Sequence, residues 1–223
     1  GQAITTGEQN TIVGGLAGDA LTVGQNNVVM GVSALSSDVG GSRTVAIGRG
    51  ALEAQNMGST DTNSHNVAVG YGAGAAVTTG TNNTIVGALA GDALTTGTQN
   101  VAIGQAALST EDAHGLNVAI GYQALQTLNA GADGYTVAIG DRAGRALTTG
   151  LYNTLVGGSA GLSLTTGGRN IAIGLQALDG DTQGSTSIAI GVNALTAQNF
   201  TTATNAYNVA VGDSAGTTIT TGK

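Results

Sequence analysis

Along this chain, apolar and polar positions alternate for only a few residues at a time, and the alternation returns at a nearly constant interval. The segment Asn100-Val101-Ala102-Ile103-Gly104-Gln105-Ala106-Ala107-Leu108 shows the unit, and it recurs twelve times. Its central glycine falls at Gly14, Gly31, Gly48, Gly70, Gly87, Gly104, Gly121, Gly140, Gly157, Gly174, Gly191 and Gly212. The steps are 17 residues, lengthened to 22, 19 and 21 at three places. A β-branched or aliphatic residue stands on either side of a small or aliphatic one, as in Val101-Ala102-Ile103, and this alternation predicts a short strand. Seventeen residues are too few for a strand, a helix and two connections, and the frequent glycines disfavour helix. The pattern therefore predicts an all-β fold, a parallel β-solenoid with two short strands and two turns per coil, its coils stacked at about 4.8 Å.

Three columns recur in every copy: the glycine, an alanine three residues after it, and an aliphatic or Met residue just before it. A fourth column, four residues before the glycine, holds Asn10, Asn27, Asn66, Asn83, Asn100, Asn117, Asn153, Asn170 and Asn208, with Thr44, Thr136 and Ser187 in the other copies. These columns predict ladders, with the glycine supplying a turn at positive φ and the amides bonding along the stack. A longer period overlies the short one. Copies one and four of each set read Ala-Gly and lead to a Thr-Thr-Gly-like turn, as in Leu94-Thr95-Thr96-Gly97, whereas copies two and three read Ala-Leu. The chain thus divides into three super-repeats of four coils, approximately 8–80, 81–150 and 151–222, within one solenoid segment. The first and last residues lie at one phase of the cycle without a distinct cap, so the segment is expected to belong to a longer array.

The middle strand position is never polar, and a strand apolar on both faces is buried on both. One face is expected to fill the coil's own core. The alanine column of Ala46, Ala68, Ala102, Ala119, Ala138 and Ala172 is expected to meet neighbouring chains, in a homotrimer or another homo-oligomer. The alternative is a fatter monomeric solenoid that buries both faces itself.

Composition narrows the partners. Charged residues make up 9% of the chain and the net charge is −7, which argues against a basic surface for nucleic acid or anionic membrane. No apolar run approaches the length of a membrane helix. Without cysteine there is no disulfide and no thiolate metal site. Aromatics are 3%, so the core must come from Val, Ile, Leu and Ala.

The motifs Asn100-Val101-Ala102-Ile103-Gly104 and Ser187-Ile188-Ala189-Ile190-Gly191 resemble the head repeats of the trimeric autotransporter adhesins, the YadA-like heads. Similar Gly-rich coils occur in bacteriophage tail fibres. The resemblance covers residues 10 to 216, although these coils are longer than head repeats usually are. It implies a left-handed β-roll, three chains about one axis, and an extracellular role in attachment at a cell or virion surface.

Candidate chemistry is sparse. Gly70-Tyr71-Gly72-Ala73-Gly74 mimics a dinucleotide loop but is repeat grammar, so no cofactor is expected. Asp179-Gly180-Asp181 resembles the start of a calcium loop, yet Ile190 stands where its bidentate Glu would be, so no metal site is assigned. His65 and His114, the only histidines, read as exposed loop residues, and no catalysis is expected. Flat ranks of Thr could bind ice, but adjacent Thr residues point opposite ways on a strand. The three long connections, 53–65, 126–135 and 196–207, are the irregular features and carry His65, Tyr135, Phe200 and Tyr207. They are the candidate recognition loops, for a host surface glycan or protein. The expected function is a structural fibre or adhesin segment. A purely structural filament or stalk is the alternative, and an ice-binding solenoid a lesser one.

Overall fold

A computed structural model describes residues 1–222. The fold is a parallel β-solenoid of about twelve coils at the 17-residue spacing, all-β, with no helix among the described residues. Two compact units share the coils, Gly1–Gly115 and Leu116–Lys223. The first contains β1 (Thr11–Val13), β2 (Val28–Met30), β3 (Gly41–Ser42), β4 (Val45–Ile47), β5 (Thr62–Asn63), β6 (Val67–Val69), β7 (Thr84–Val86) and β8 (Val101–Ile103). The second contains β9 (Val118–Ile120), β10 (Val137–Ile139), β11 (Thr154–Val156), β12 (Ile171–Ile173), β13 (Gly184–Ser185), β14 (Ile188–Ile190), β15 (Thr204–Asn205) and β16 (Val209–Val211).

In each unit the three-residue strands pair in parallel, coil upon coil, in the register of the repeat. Val45 lies against Val67, and Ile171 against Ile188. Among the described residues, most coils lack the expected second strand. Two-residue strands occur only as the pairs β3–β5 and β13–β15, beside the first and third long connections. Elsewhere the chain turns through left-handed residues. Five residues before the glycine φ is +45 to +64° in all twelve coils, from Gln9 to Tyr207, and two residues after it φ is +54 to +67°. Four residues after it the conformation is left-handed again, in Leu35 and Leu108 as in Gly18 and Gly91. Left-handed conformation in a residue other than glycine costs about 1–3 kcal/mol and persists only where surrounding structure enforces it. Here the enforcement is the ladder: the N–H of Ser33 donates to Gly15 C=O, and that of Leu89 to Tyr71 C=O, each at a left-handed position.

The glycine column has two causes. Its φ is +129 to +143°, a region closed to side chains. In addition, a Cβ on Gly87 would lie 2.6 Å from the carbonyl oxygen of Gly104 in the next coil, and one on Gly48 would lie 2.3 Å from that of Gly70. The glycines stack backbone on backbone.

The core lies inside the coil and reverses one expectation. The middle strand residues Ala46, Ala68, Ala102, Ala119, Ala138 and Ala172 are fully buried, so this column faces inward and does not meet neighbouring chains. The flanking Val and Ile residues point outward, half-buried or exposed. The physical reason is the narrow coil. Its interior must hold the middle strand residue, the alanine three after the glycine, and the residue after that. These positions trade volume. Where Gly74 or Gly144 follows the alanine, large neighbours take the space: a Cβ on Gly74 would meet Ile85 at 2.9 Å and Leu52 at 3.0 Å, and one on Gly144 would meet Leu155 and Leu125. Where Leu follows, as at Leu108, Leu125 and Leu178, the strand centre is Ala102, Ala119 and Ala172; Ala68 and Ala138 share their coils with Gly74 and Gly144, where side chains of adjacent coils supply the volume. This is interdigitation at constant filling.

The asparagine ladder also forms, with a particular wiring. The amide oxygens of Asn66, Asn83 and Asn153 accept from the backbone N–H of Asn83, Asn100 and Asn170 in the next coil. The amide nitrogens of Asn66, Asn83 and Asn153 donate to the carbonyls of Gly80, Gly97 and Gly167. Along the ladder these amides join main chain to main chain, and Asn66 Nδ2 also donates to the Gln55 amide oxygen. Thr44 and Ser187 receive the same bond through their backbone N–H.

Candidate recognition surface

Seven residues after the glycine, a second inward column runs through the coils. It is aliphatic at Leu21, Val77, Leu94, Leu147 and Leu164, but it holds Asp38, Gln55, Glu111, Asp181 and Gln198 in the middle coils of the super-repeats, all fully buried. Asp38 accepts from the N–H groups of Gly41 and Met57 and from Gln55 Nε2 at 2.6 Å. Gln55 in turn accepts from Asn66 Nδ2. Asp181, Gln198 and Asn208 repeat this chain of bonds, with Gly184 and Phe200 supplying the N–H groups. The calcium-like Asp181 is therefore a turn-closing acceptor that anchors the third long connection. Its neighbour Asp179 has its carboxyl pushed up, chiefly by burial, against the opposing effect of its own and Gly180's N–H groups.

Anchoring changes the picture of the loops. In the first connection β5 pairs with β3, and Asp61 accepts from Gln25 and Ser42. In the third, β15 pairs with β13. Phe200 is only 6% exposed, and its carbonyl accepts from Gln183 N–H and Thr182 Oγ1. It covers the flank and is withdrawn from the recognition set, since a buried ring offers no contact face.

His65, Tyr135 and Tyr207 are exposed, and they share one place in the coil, five residues before the glycine, in the left-handed conformation. The regular coils put Tyr152 and Arg169 at the same place. Tyr135 and Tyr152 stack with centroids 5.7 Å apart and planes 13° from parallel, and the Arg169 guanidinium lies 5.5 Å from the Tyr152 centroid. Register alone would have found Tyr152 and Arg169, because they occupy the column of the loop aromatics. A second row lies beside the strand exits, where Arg49 approaches the Tyr71 ring at 6.0 Å and Arg142 the Tyr122 ring at 5.7 Å. The tyrosines stand one residue after their glycines, an exposed position in most coils.

His114 is half-buried, not an exposed loop residue. Its Nδ1 lies 3.1 Å from Glu111 Oε1, and its N–H donates to the same oxygen. Glu111, Asp112 and His114 bring metal-ligating atoms within 4.8 Å of one another. Glu111 also stands at the coil position of Asp38 and Asp181 and closes the same three-residue turn. The nucleotide-like segment has its amides engaged: Gly72 N–H donates to Arg49 C=O and Gly74 N–H to Ala90 C=O. The first Thr of five Thr-Thr-Gly turns, Thr5, Thr78, Thr95, Thr148 and Thr165, also donates its hydroxyl along the stack, as Thr78 does to Thr95 C=O and Thr148 to Thr165 C=O. Searches against protein families, curated proteins and solved structures match this chain to none of them.

Proposed function

We propose that this chain is a structural fibre or adhesin segment, extracellular at a cell or virion surface, whose irregular connections make the contact with a host glycan or protein. One observation carries the reading. The coil walls repeat one hydrogen-bonded pattern, while the first and third long connections are held to the coils by β3–β5, β13–β15 and the buried carboxylates of Asp38 and Asp181, and so present exposed tips from a rigid base. Loops positioned by a rigid scaffold are where recognition concentrates. The interior is filled by rows of Ala and Leu, which supports a non-catalytic role. The outward Val and Ile rows of the strands support self-association into a homotrimer or other homo-oligomer.

The test exchanges the exposed tips 59–61, 131–133 and 201–203 for Gly-Ser segments, together with His65→Ala, Tyr135→Ala and Tyr207→Ala. The variant is expected to keep its β-type circular dichroism and to lose attachment to host cells and glycan-coated surfaces. Attachment equal to that of the parent protein would make the segment a stalk.

A further inference from the structure

Two residues after the glycine, the coils carry a side chain: Leu16, Ser33, Leu89, Ala106, Gln123, Arg142, Ser159, Gln176, Asn193 and Ser214. Only the third and fourth coils place glycine there, at Gly50 and Gly72. Both are left-handed, with φ of +67° and +62°, but so are the others, which include Asn, Gln and Ser. The backbone conformation therefore does not demand glycine at these two positions. What the pair does is clear a notch between Ser33 and Leu89, a cleft of about 250 Å³.

Three groups with chemistry line it. The Glu53 carboxylate folds over its floor, with Oε2 3.1 Å from where a Gly50 Cβ would stand. Arg49 lies beside it, 6.0 Å from the centroid of Tyr71, which is 56% exposed. Arg49 and Glu53 carry opposite charges in one small cleft without an ion pair between them. The backbone of the floor is already paired, Gly50 N–H to Val32 C=O and Gly72 N–H to Arg49 C=O. A ligand would have to be recognised by the side chains.

We infer that the Gly50–Gly72 notch is a binding site for a single neutral hexose ring of a glycan. A carboxylate can accept from two neighbouring hydroxyls, and a guanidinium can donate to a hydroxyl or ring oxygen. Tyr71 and Leu89 offer apolar surface to the C–H face of the sugar. The two charges cancel, and a charged sugar would meet a like charge in the cleft beside the opposite one, which favours a neutral ligand. The cleft is smaller than a drug-sized pocket, which suits one ring. The inference goes beyond the loop reading, because the notch lies outside the exchanged tips.

The probes are D-glucose, D-galactose, D-mannose and N-acetyl-D-glucosamine, titrated into the full chain and read by saturation-transfer NMR, with D-glucuronate as the acidic comparison. At least one neutral hexose is expected to bind saturably, with half-saturation at about 1–10 mM. Gly72→Asn, which takes the residue Asn193 already places in this column, is expected to weaken it tenfold or more with an unchanged melting curve. Gly72→Ser, following Ser33, serves if the Asn variant does not fold. Glu53→Gln and Arg49→Gln are each expected to weaken binding by about tenfold. The inference is overturned if no neutral hexose saturates, if the filled-notch variant binds as the parent does, or if glucuronate alone binds. Loss of hexose binding in the tip-exchanged variant, with the notch residues intact, would also overturn it.

Discussion

At the scale of the residue, each coil is a balance between unfavourable left-handed conformations and a ladder that satisfies their amides. The glycine column shows the tightest form of that balance. Replacing Gly87 by Ala places a Cβ at φ +134° and 2.6 Å from the Gly104 carbonyl oxygen. Neither can relax without parting two coils, so the variant is expected to lose about 3 kcal/mol or more, read from urea unfolding. An equally local prediction concerns Asp92. Its Oδ1 is buried without a hydrogen-bond partner, and its carboxyl is pushed above its ordinary value chiefly by burial, against its own backbone N–H. Because the folded-state value is the raised one, the folded protein favours the protonated acid. That contribution is complete below the ordinary carboxyl range and is lost as pH rises through the raised value. Asp92→Asn is therefore expected to raise the melting temperature by a degree or two at about pH 7 and to leave it unchanged at about pH 3.

At the scale of the element, the repeat made the three-residue strand of each coil, the glycine turns and the asparagine ladder legible, because each is a recurring column, whereas the expected second strand gives way in most coils to turns through left-handed residues. The long connections were legible as places but not as structures. Their anchoring depends on Asp38, Gln55, Asp181 and Gln198, which look like ordinary polar loop residues until the column of Leu21, Val77, Leu94 and Leu147 shows that their position faces inward. Polar residues at an inward position need partners, and here the partners come from adjacent coils. Phe200 was misread for the same reason, since its place in a loop says nothing of which side its ring takes. Gln198→Leu copies the residue that Leu128 supplies in the second super-repeat. It removes the Nε2 donor of Asp181 and the acceptor of Asn208 Nδ2 together. A buried carboxylate that keeps only its backbone donors should cost about 1–3 kcal/mol, read as an earlier midpoint in urea. Limited proteolysis should cut the variant within 196–207 before any other segment. An unchanged midpoint would mean that Gly184 and Phe200 N–H satisfy Asp181 alone.

At the scale of the whole molecule, the inversion of the strand faces decides where another copy could meet this one. The alternation of Val101-Ala102-Ile103 identifies two faces, but it cannot tell which of two apolar faces is inside. The alanine column faces inward because leucines and isoleucine fill the rest of the narrow coil, Leu108, Leu125 and Leu178 beside their own alanines, and Leu52, Ile85 and Leu155 from adjacent coils at Gly74 and Gly144. The outward rows are apolar as well, and Ile171 and Ile173 remain 36% and 37% exposed on β12. Apolar surface on these outward rows is what the self-association proposed above would bury. The two faces make opposite predictions. Ala172→Glu buries an unpaired charge in the coil and is expected to unfold the protein, seen as loss of the β signal in circular dichroism. Ile171→Lys with Ile173→Lys places charge on the outer row and is expected to keep the fold while reducing the mass in light scattering to that of one chain. A parent protein that is itself monomeric in the same measurement would remove the self-association reading. So would a double-lysine variant with the parent's oligomeric mass. Dissociation with the β signal intact would place the contact between copies on the Val and Ile rows that leave each coil, and not on the alanines that fill it.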